Sequence, residues 1–315
     1  MYDINLKDVP LDWREARIPK PNKPGEFRHL TIPNDRLKTI QRGILKESLY
    51  NVDALKPTSY AYGFVPFKSC LEAVQAHDRK ADFFCMDAKD FFDTFPVEVV
   101  RKQLLKGGLE EEYVDKMLTA CSYNNKLPQG SPASPCLTNI GMLDVDKMLG
   151  AFADSIGATF TRYADDLVFS INFANKGLPY KKRGMYIFKS VDARLYAETG
   201  VHLNWKKCHI IPYKGKVKRQ VLGICIRLDG LGYNAPGKLR RTARAMCCNL
   251  WRKLKQQHWR PQDGDWAAWA RLKGTVHYLD YVRSGSDDCV AGADSRIQEK
   301  FWNDLLRVFD GKNRS

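Results

Sequence analysis

Four residues near the middle of the chain, Tyr163-Ala164-Asp165-Asp166, constrain it most. They separate two runs that read as strands, Ala158-Thr159-Phe160-Thr161-Arg162-Tyr163 before and Leu167-Val168-Phe169-Ser170-Ile171 after. The two adjacent carboxylates therefore sit at a hairpin tip. If the tip is buried, its two charges are costly unless a cation neutralises them, and hard oxygen ligands suit a divalent metal. Asp is equally an ordinary turn residue, so the tip alone leaves both readings open.

The rest of the chain narrows the choice. At 315 residues, 44% of them hydrophobic, it can bury a sizeable core and form two or three subdomains. Its 51 basic and 36 acidic residues leave a net charge of +15. From Lys206 to Arg260 there are fifteen Lys or Arg and one acid, Asp229, so this stretch carries +14 of that charge. Such segregation points to a polyanionic partner such as nucleic acid, against the plain alternative of a solvated face. The nine cysteines are scattered except for Cys247-Cys248 and show no Cys-x-x-Cys pair, as expected for packing thiols in a reducing compartment. The first residues lack a basic segment followed by an apolar one, and no run reaches the length of a membrane span. A soluble, cytoplasmic protein without membrane association is expected.

Taken in order, residues 18–33 read as two short strands around a Pro/Gly turn, with Lys20 and Arg28 placed either to be solvated or to close over a triphosphate. A helix follows from Asp35, capped by Asn34 or Asp35. In Ser59–Cys70, aromatics beside Lys68 are core residues or stacking surfaces for a template base, and Ser69 is placed to cap a helix through Ala76. The apolar run Phe83–Met86 delivers Asp87 to a strand end, where sites tend to lie. Asp90 and Asp93 read as early-helix acids. Helices are expected near Val97–Leu105 and Glu110–Cys121. The loop Leu127–Asn139, punctuated by Pro and Gly, opens a helix continuing through Leu149. Beyond the aspartates come a helix from about Tyr180 to Glu198, a strand-loop-strand over Val201–Ile211, and one strand, Gln220–Ile226, turning at Asp229-Gly230. From Lys238 the pattern is helical. Leu239, Ala243, Met246, Leu250 and Leu254 mark an apolar stripe, and Arg240, Arg244, Arg252 and Lys255 a basic one suited to a phosphate backbone. After a break at Pro261–Gly264, further helices are expected over Trp266–Val282 and Ser295–Phe309.

Together, Asp87 at a strand end, Pro128-Gln129-Gly130-Ser131-Pro132-Ala133-Ser134-Pro135 and Tyr163-Ala164-Asp165-Asp166, in that order, resemble the palm motifs of reverse transcriptases. Ile18–Pro33 and Tyr62-Gly63-Phe64 resemble the fingers of bacterial members, and Asn204–Lys207 with Val221-Leu222-Gly223 resembles the later palm motifs. Among bacterial groups the chain looks most like retron and related phage-defence enzymes, with an unassigned defence-associated or a group II intron-like enzyme as alternatives. It departs from the retron pattern in two ways. Val221-Leu222-Gly223 stands where Val-Thr-Gly is usual, and few residues precede Ile18.

The resemblance implies a mixed α/β (α+β) fold with right-hand polymerase architecture, in which fingers and palm occupy 1–235 and a helical thumb 236–315. It implies two Mg²⁺ ions on Asp87, Asp165, Asp166 and the Ala88 carbonyl. Lys20 and Arg28 would hold the triphosphate, Gln129 and Gly130 would pack against nucleotide and template, Phe92 would sit under the sugar, and Lys207, with Lys206 as the alternative, would be the general acid. The partners implied are dNTPs, a structured non-coding RNA template, its RNA–cDNA product and a defence effector protein. A two-metal nuclease would also use clustered aspartates and a basic groove, but has no use for a triphosphate clamp or a sugar-facing aromatic. A catalytically dead RNA-binding scaffold is disfavoured by the presence of all three carboxylates.

Overall fold

The structure, a computed structural model, describes residues 2–7, 9–20, 25–172, 180–214, 217–227, 232–256, 260–284 and 299–310. The expected turn at Asp229-Gly230, the side chain of Asp93, Cys289 and the first residues of the expected Ser295–Phe309 helix lie outside them. The fold divides into two compact units, Met1–Tyr213 and Lys214–Ser315. The residue at which the sequence places the start of a thumb, 236, directly precedes a helix that starts at Gly237, while residues 214–235 group with the helices that follow them.

The first unit begins with an antiparallel ribbon, β1 (Trp13–Pro19) and β2 (Phe27–Pro33). Helix α1 (Asp35–Glu47) follows, and the choice of cap falls on Asn34, whose side chain accepts from the Leu37 amide at 2.8 Å. Helix α2 (Cys70–Gln75) starts at Ser69, whose Oγ accepts from the Glu72 amide and donates to the Glu72 carboxylate at 2.8 Å. The centre of the unit is a four-stranded antiparallel sheet built from β3 (Asp82–Asp87), β4 (Thr159–Tyr163), β5 (Asp166–Ile171) and β6 (His209–Ile211), in the order β4-β5-β3-β6. Residues Phe83 to Asp87 are all buried, which explains why this strand reads as a continuous apolar run and not as an alternation.

Between these strands lie a single turn, α3 (Phe91–Thr94), then α4 (Val97–Lys106), α5 (Glu111–Cys121), α6 (Ser134–Gly141) and α7 (Leu143–Ser155). The helix expected to run unbroken from the Pro/Gly loop through Leu149 is interrupted at Met142, where φ −86° and ψ 0° leave the helical region. Helix α8 (Tyr180–Thr199) ends before Gly200, whose φ of +68° suits the residue beyond a helix. It packs on the sheet through Phe188 against Phe84, edge to face at 6.4 Å, while Phe152 of α7 meets Phe169 at 6.0 Å. The expected strand-loop-strand over 201–211 reduces to one bridge, Leu203 opposite Ala88, and the strand β6. Of the residues between, the Asn204 amide donates to the Asp87 carbonyl and the His202 carbonyl accepts from the Lys89 amide, while the Lys207 and Cys208 amides donate to the Asn204 carbonyl.

In the second unit, the single strand expected over Gln220–Ile226 is a hairpin, β7 (Gln220–Val221) and β8 (Ile224–Ile226), joined by β9 (Tyr233–Asn234) in one small sheet. Leu222 and Gly223 both have positive φ, 48° and 81°, the sign pattern of a two-residue I′ turn that a Leu-Gly pair does not advertise. Three helices complete the unit, α9 (Gly237–Leu254), α10 (Asp263–Ser284) and α11 (Glu299–Phe309). Ala243, Cys247 and Leu250 of α9 are buried as the apolar stripe requires. Trp269 of α10 stacks on Phe309 of α11 at 5.3 Å, and its indole N–H donates to Asp310.

Candidate active site

Antiparallel register sets Asp87 of β3 directly opposite Asp166 of β5. Partners in register project from the same face, so two carboxylates meet there, and like charges directly opposite one another are destabilising. Asp165 adds a third at the turn. Tyr163 pairs with Asp166, leaving Ala164 and Asp165 as a two-residue loop with a positive φ, 56°, at Ala164 alone. The Asp165 carbonyl accepts from the Ala88 amide at 2.8 Å, fastening the turn to the end of β3.

Burial, reinforced by the charges of Asp165 and Asp87, pushes the Asp166 carboxyl up to about 7. Burial likewise raises Asp165, with the Asp87 charge adding to it. Lys207 supplies the compensating cation. Its Nζ donates to both oxygens of Asp87, at 2.9 and 2.7 Å. Burial works against the ammonium, but the bond to Asp87 and the charges of Asp165 and Asp166 hold it above its ordinary value. The backbone presents this lysine: the Asn204 amide donates to the Asp87 carbonyl at 2.7 Å, and the Lys207 amide to the Asn204 carbonyl at 2.8 Å.

These groups open onto a cavity of about 730 Å³. Asp87, Ala88, Asp165 and Lys207 line one part of it, and Lys20, Arg28, Phe92, Gln129 and Gly130 another. Nine of the residues that the sequence singles out for catalysis or nucleotide binding are thereby brought together, while Asp166, in register with Asp87, and the exposed Lys206 are not among the lining residues. Lys20, at the end of the ribbon, is paired with Glu26 at 3.2 Å. Gly130 (φ 118°) lies where a Cβ would press on the Thr31 carbonyl at 2.9 Å, and the Thr31 amide donates to the Gln129 carbonyl at 2.7 Å. Glycine thus allows the ribbon to dock on the loop that carries Gln129. Phe92 is half-buried, edge to face with Phe64 at 6.2 Å and with Phe91 at 5.5 Å, whereas Phe91 is only 3% exposed and packs on Phe95.

The donor set fits a hard divalent cation: three carboxylates, two of them raised by burial and mutual repulsion, on one sheet end. Among the described residues, however, no three ligating side chains are already drawn to metal distance of one point. The Lys207 ammonium, donating to both Asp87 oxygens, supplies positive charge at this end of the sheet.

In the second unit, Arg240, Arg244, Arg252 and Lys255 fall within about a third of the circumference of α9 and its C-cap, with Arg240 bordering the buried stripe of Ala243, Cys247 and Leu250 and Arg252 farthest from it. Arg240 and Arg244 are half-buried and Arg252 is exposed. Lys255 is 3.5 Å from Asp304, so part of its charge is answered within the unit.

His29, Asp90, Phe64 and Asn204 also line the cavity. Phe64 and Asn204 stand in segments that the sequence singles out, Tyr62-Gly63-Phe64 and Asn204–Lys207, whereas no site role attaches to His29 or Asp90 from sequence.

A sheet end with an Asp-Asp hairpin beside a third aspartate, facing a cavity walled by a cationic ribbon, is a palm of the nucleotidyl-polymerase kind. Residues 18–226 match the family Reverse transcriptase (RNA-dependent DNA polymerase), and the chain belongs to that family. The chain is 32% identical over 236 residues to the retron Mx162 reverse transcriptase of Myxococcus xanthus, covering 69% of this chain and 47% of that protein. It is 27% identical over 220 residues to the retron Ec86 reverse transcriptase of Escherichia coli, covering 70% and 65%. The chain thus spans roughly half to two thirds of the length of these relatives. In fold it is similar to the apo telomerase of Candida tropicalis, with a TM-score of 0.54 at 9% identity over 95% of this chain and 56% of that one. Reverse transcriptases as a family use divalent metal ions. No helix among the described residues is long and apolar enough to cross a membrane.

Proposed function

We propose that the chain is an RNA-directed DNA polymerase of the retron type, extending a primer with dNTPs along a structured RNA. The observation that carries this reading is the single cavity in which the Asp87–Asp165 end of the sheet faces Lys20, Arg28, Phe92 and Gln129-Gly130. A nuclease has no need of that second wall.

Asp87, Asp165, Asp166 and the Ala88 carbonyl would hold two Mg²⁺ ions, which would supply acidification of the primer 3′-hydroxyl and neutralisation of charge on the phosphates. Lys20 and Arg28 bind the triphosphate, with Lys20 exchanging its Glu26 partner for phosphate oxygens. Gln129 and Gly130 position the nucleotide against the template through a loop fastened to β2. The 3′-hydroxyl gives up its proton to solvent water, and its oxygen forms a bond to the α-phosphorus as the bond to the β-phosphate oxygen breaks. Lys207, held protonated beside Asp87, gives its proton to the departing pyrophosphate. Phe92 fills the space that a ribose 2′-hydroxyl would need.

The helical part of the second unit, from residue 236 on, acts as the thumb, with Arg240, Arg244, Arg252 and Lys255 along the phosphate backbone. Likeness to retron enzymes supports a cytoplasmic setting, a structured non-coding RNA joined to its cDNA as product, and anti-phage defence with an effector protein. The purified chain, incubated with a primed RNA, Mg²⁺ and dNTPs, is expected to lengthen the primer. Shortening of either strand, or no change with intact RNA binding, rejects the reading. Sequencing nucleic acid that copurifies with the chain then tests the retron assignment, which expects one structured RNA linked to short cDNA.

A further inference from the structure

The charged side chain nearest the aspartates in sequence has no part in that reaction. Arg162 lies on β4, and strand periodicity turns it to the sheet face opposite Asp166. It is 1% exposed. Its guanidinium grips Asp146 of α7 with two bonds, Nε to Oδ1 at 2.7 Å and Nη2 to Oδ2 at 2.8 Å, and Asp146 takes a third from the Thr58 hydroxyl at 3.1 Å. The remaining nitrogen, Nη1, reaches the Asn139 side-chain oxygen at 3.0 Å and the Ala164 carbonyl at 3.2 Å. Asn139, on α6, donates in turn to the Gly63 carbonyl at 3.0 Å.

Burying such a pair incurs a desolvation cost that well-packed apolar residues would avoid, so stability alone is a weak reason for it. Its geometry suggests another. The Ala164 carbonyl belongs to the peptide that leads into Asp165, and Ala164 holds a left-handed φ of 56° that alanine adopts at a cost. The peptide on the other side of Asp165 is fixed by the Ala88 amide. Asp165 is therefore held from behind by Arg162 and from in front by Ala88. The same arginine sets the loop before Phe64: its amide donates to the Tyr60 carbonyl and its carbonyl accepts from the Tyr62 amide, both at 2.8 Å. Gly63 approaches so closely that a Cβ there would collide with the Ala164 amide nitrogen.

We infer that Arg162, locked by Asp146 and Asn139 behind the sheet, is a positioning residue that sets the Ala164–Asp165 peptide and, with it, the reach of the catalytic carboxylate. The inference rests on the polymerase reading. A lysine at 162 keeps the charge against Asp146 but lacks the planar fork that serves three partners at once, so Arg162→Lys separates charge from geometry. Asn139→Ala, which removes the middle of the relay and no charge, is the second variant.

The test is single-nucleotide addition to a primed RNA under pre-steady-state conditions, in which burst amplitude reports the active fraction and the rate constant reports chemistry. Displacement of a catalytic group by about 1 Å costs on the order of 100-fold. Arg162→Lys is expected to slow the rate constant at least about tenfold, with dNTP and primer–template affinities within about twofold of wild type. Asn139→Ala should fall in the same direction, and the double variant should be no slower than the slower single one, because both act through one relay. A reduced amplitude with an unchanged rate constant, in whichever variant folds, makes the network merely structural and overturns the inference. Independent, multiplying effects overturn the relay. A wild-type chain that extends no primer overturns the polymerase reading itself, and this inference with it.

Discussion

Phe91 and Phe92 are adjacent and chemically identical, and the structure gives them opposite consequences when truncated. Phe91 is buried against Phe95 at 5.2 Å, so Phe91→Ala leaves a cavity in the core and should cost about 3–5 kcal/mol. For a unit of about 200 residues that lowers the thermal midpoint by about 6–20 °C. Phe92 is half-buried with one side on the nucleotide cavity, so Phe92→Ala should cost about half as much, roughly 2 kcal/mol. Its larger effect is on selection. Removing the ring opens room for a 2′-hydroxyl, and the steric penalty lost is of the order that separates substrates differing by one small group, about 10- to 200-fold. The assay is incorporation of each rNTP and its matching dNTP by both variants, alongside melting curves. Retained dNTP incorporation with raised rNTP incorporation is expected for Phe92→Ala, and low stability with unchanged selectivity for Phe91→Ala. A Phe92→Ala variant that melts early and still excludes ribonucleotides refutes the gate.

Asp165→Asn keeps the shape of a metal ligand and removes its charge, so primer extension should collapse while filter binding of RNA persists; near-normal extension would sink the catalytic assignment. Neutralising Arg240, Arg244 and Arg252 together should weaken RNA binding broadly and reduce the slope of log affinity against log salt by about 2 to 3, and an unchanged slope would leave α9 a solvated face. His77 is buried between the Ser170 and Thr161 hydroxyls, at 2.7 and 2.8 Å, and burial lowers its pKa to about 4. Since its folded value lies below the ordinary 6.5, the unfolded chain binds the extra proton, and the stability that the neutral ring provides is present above about 6.5 and lost as pH falls toward 4. The difference amounts to about 3 kcal/mol. A His77→Gln variant should show a flatter midpoint between pH 6.5 and 4 than wild type, and parallel curves would assign the acid sensitivity elsewhere.

Local chemistry was legible wherever neighbours in sequence settle it. The strand-like runs on either side of Ala164-Asp165 give the hairpin, the polar residues Asn34 and Ser69 give two helix starts, and the apolar period of 239–254 gives the buried stripe of α9. The carboxylates, the Gln129-Gly130 loop and the ribbon cations were readable as residue types in an order. What they do to one another was not. That Asp87 faces Asp166 is a matter of register between strands about eighty residues apart, and that Lys207 rather than Lys206 reaches Asp87 depends on where the Asn204 backbone is pinned. The split at Met142 and the I′ turn at Leu222-Gly223 carry no strong local signal, because packing and not propensity selects those backbone angles. Arg162 marks the limit most clearly. In sequence it is one more basic residue in a basic chain, and only the fold supplies Asp146, Asn139 and the Ala164 carbonyl, because the partners of a buried charge are chosen by three-dimensional proximity and not by spacing along the chain.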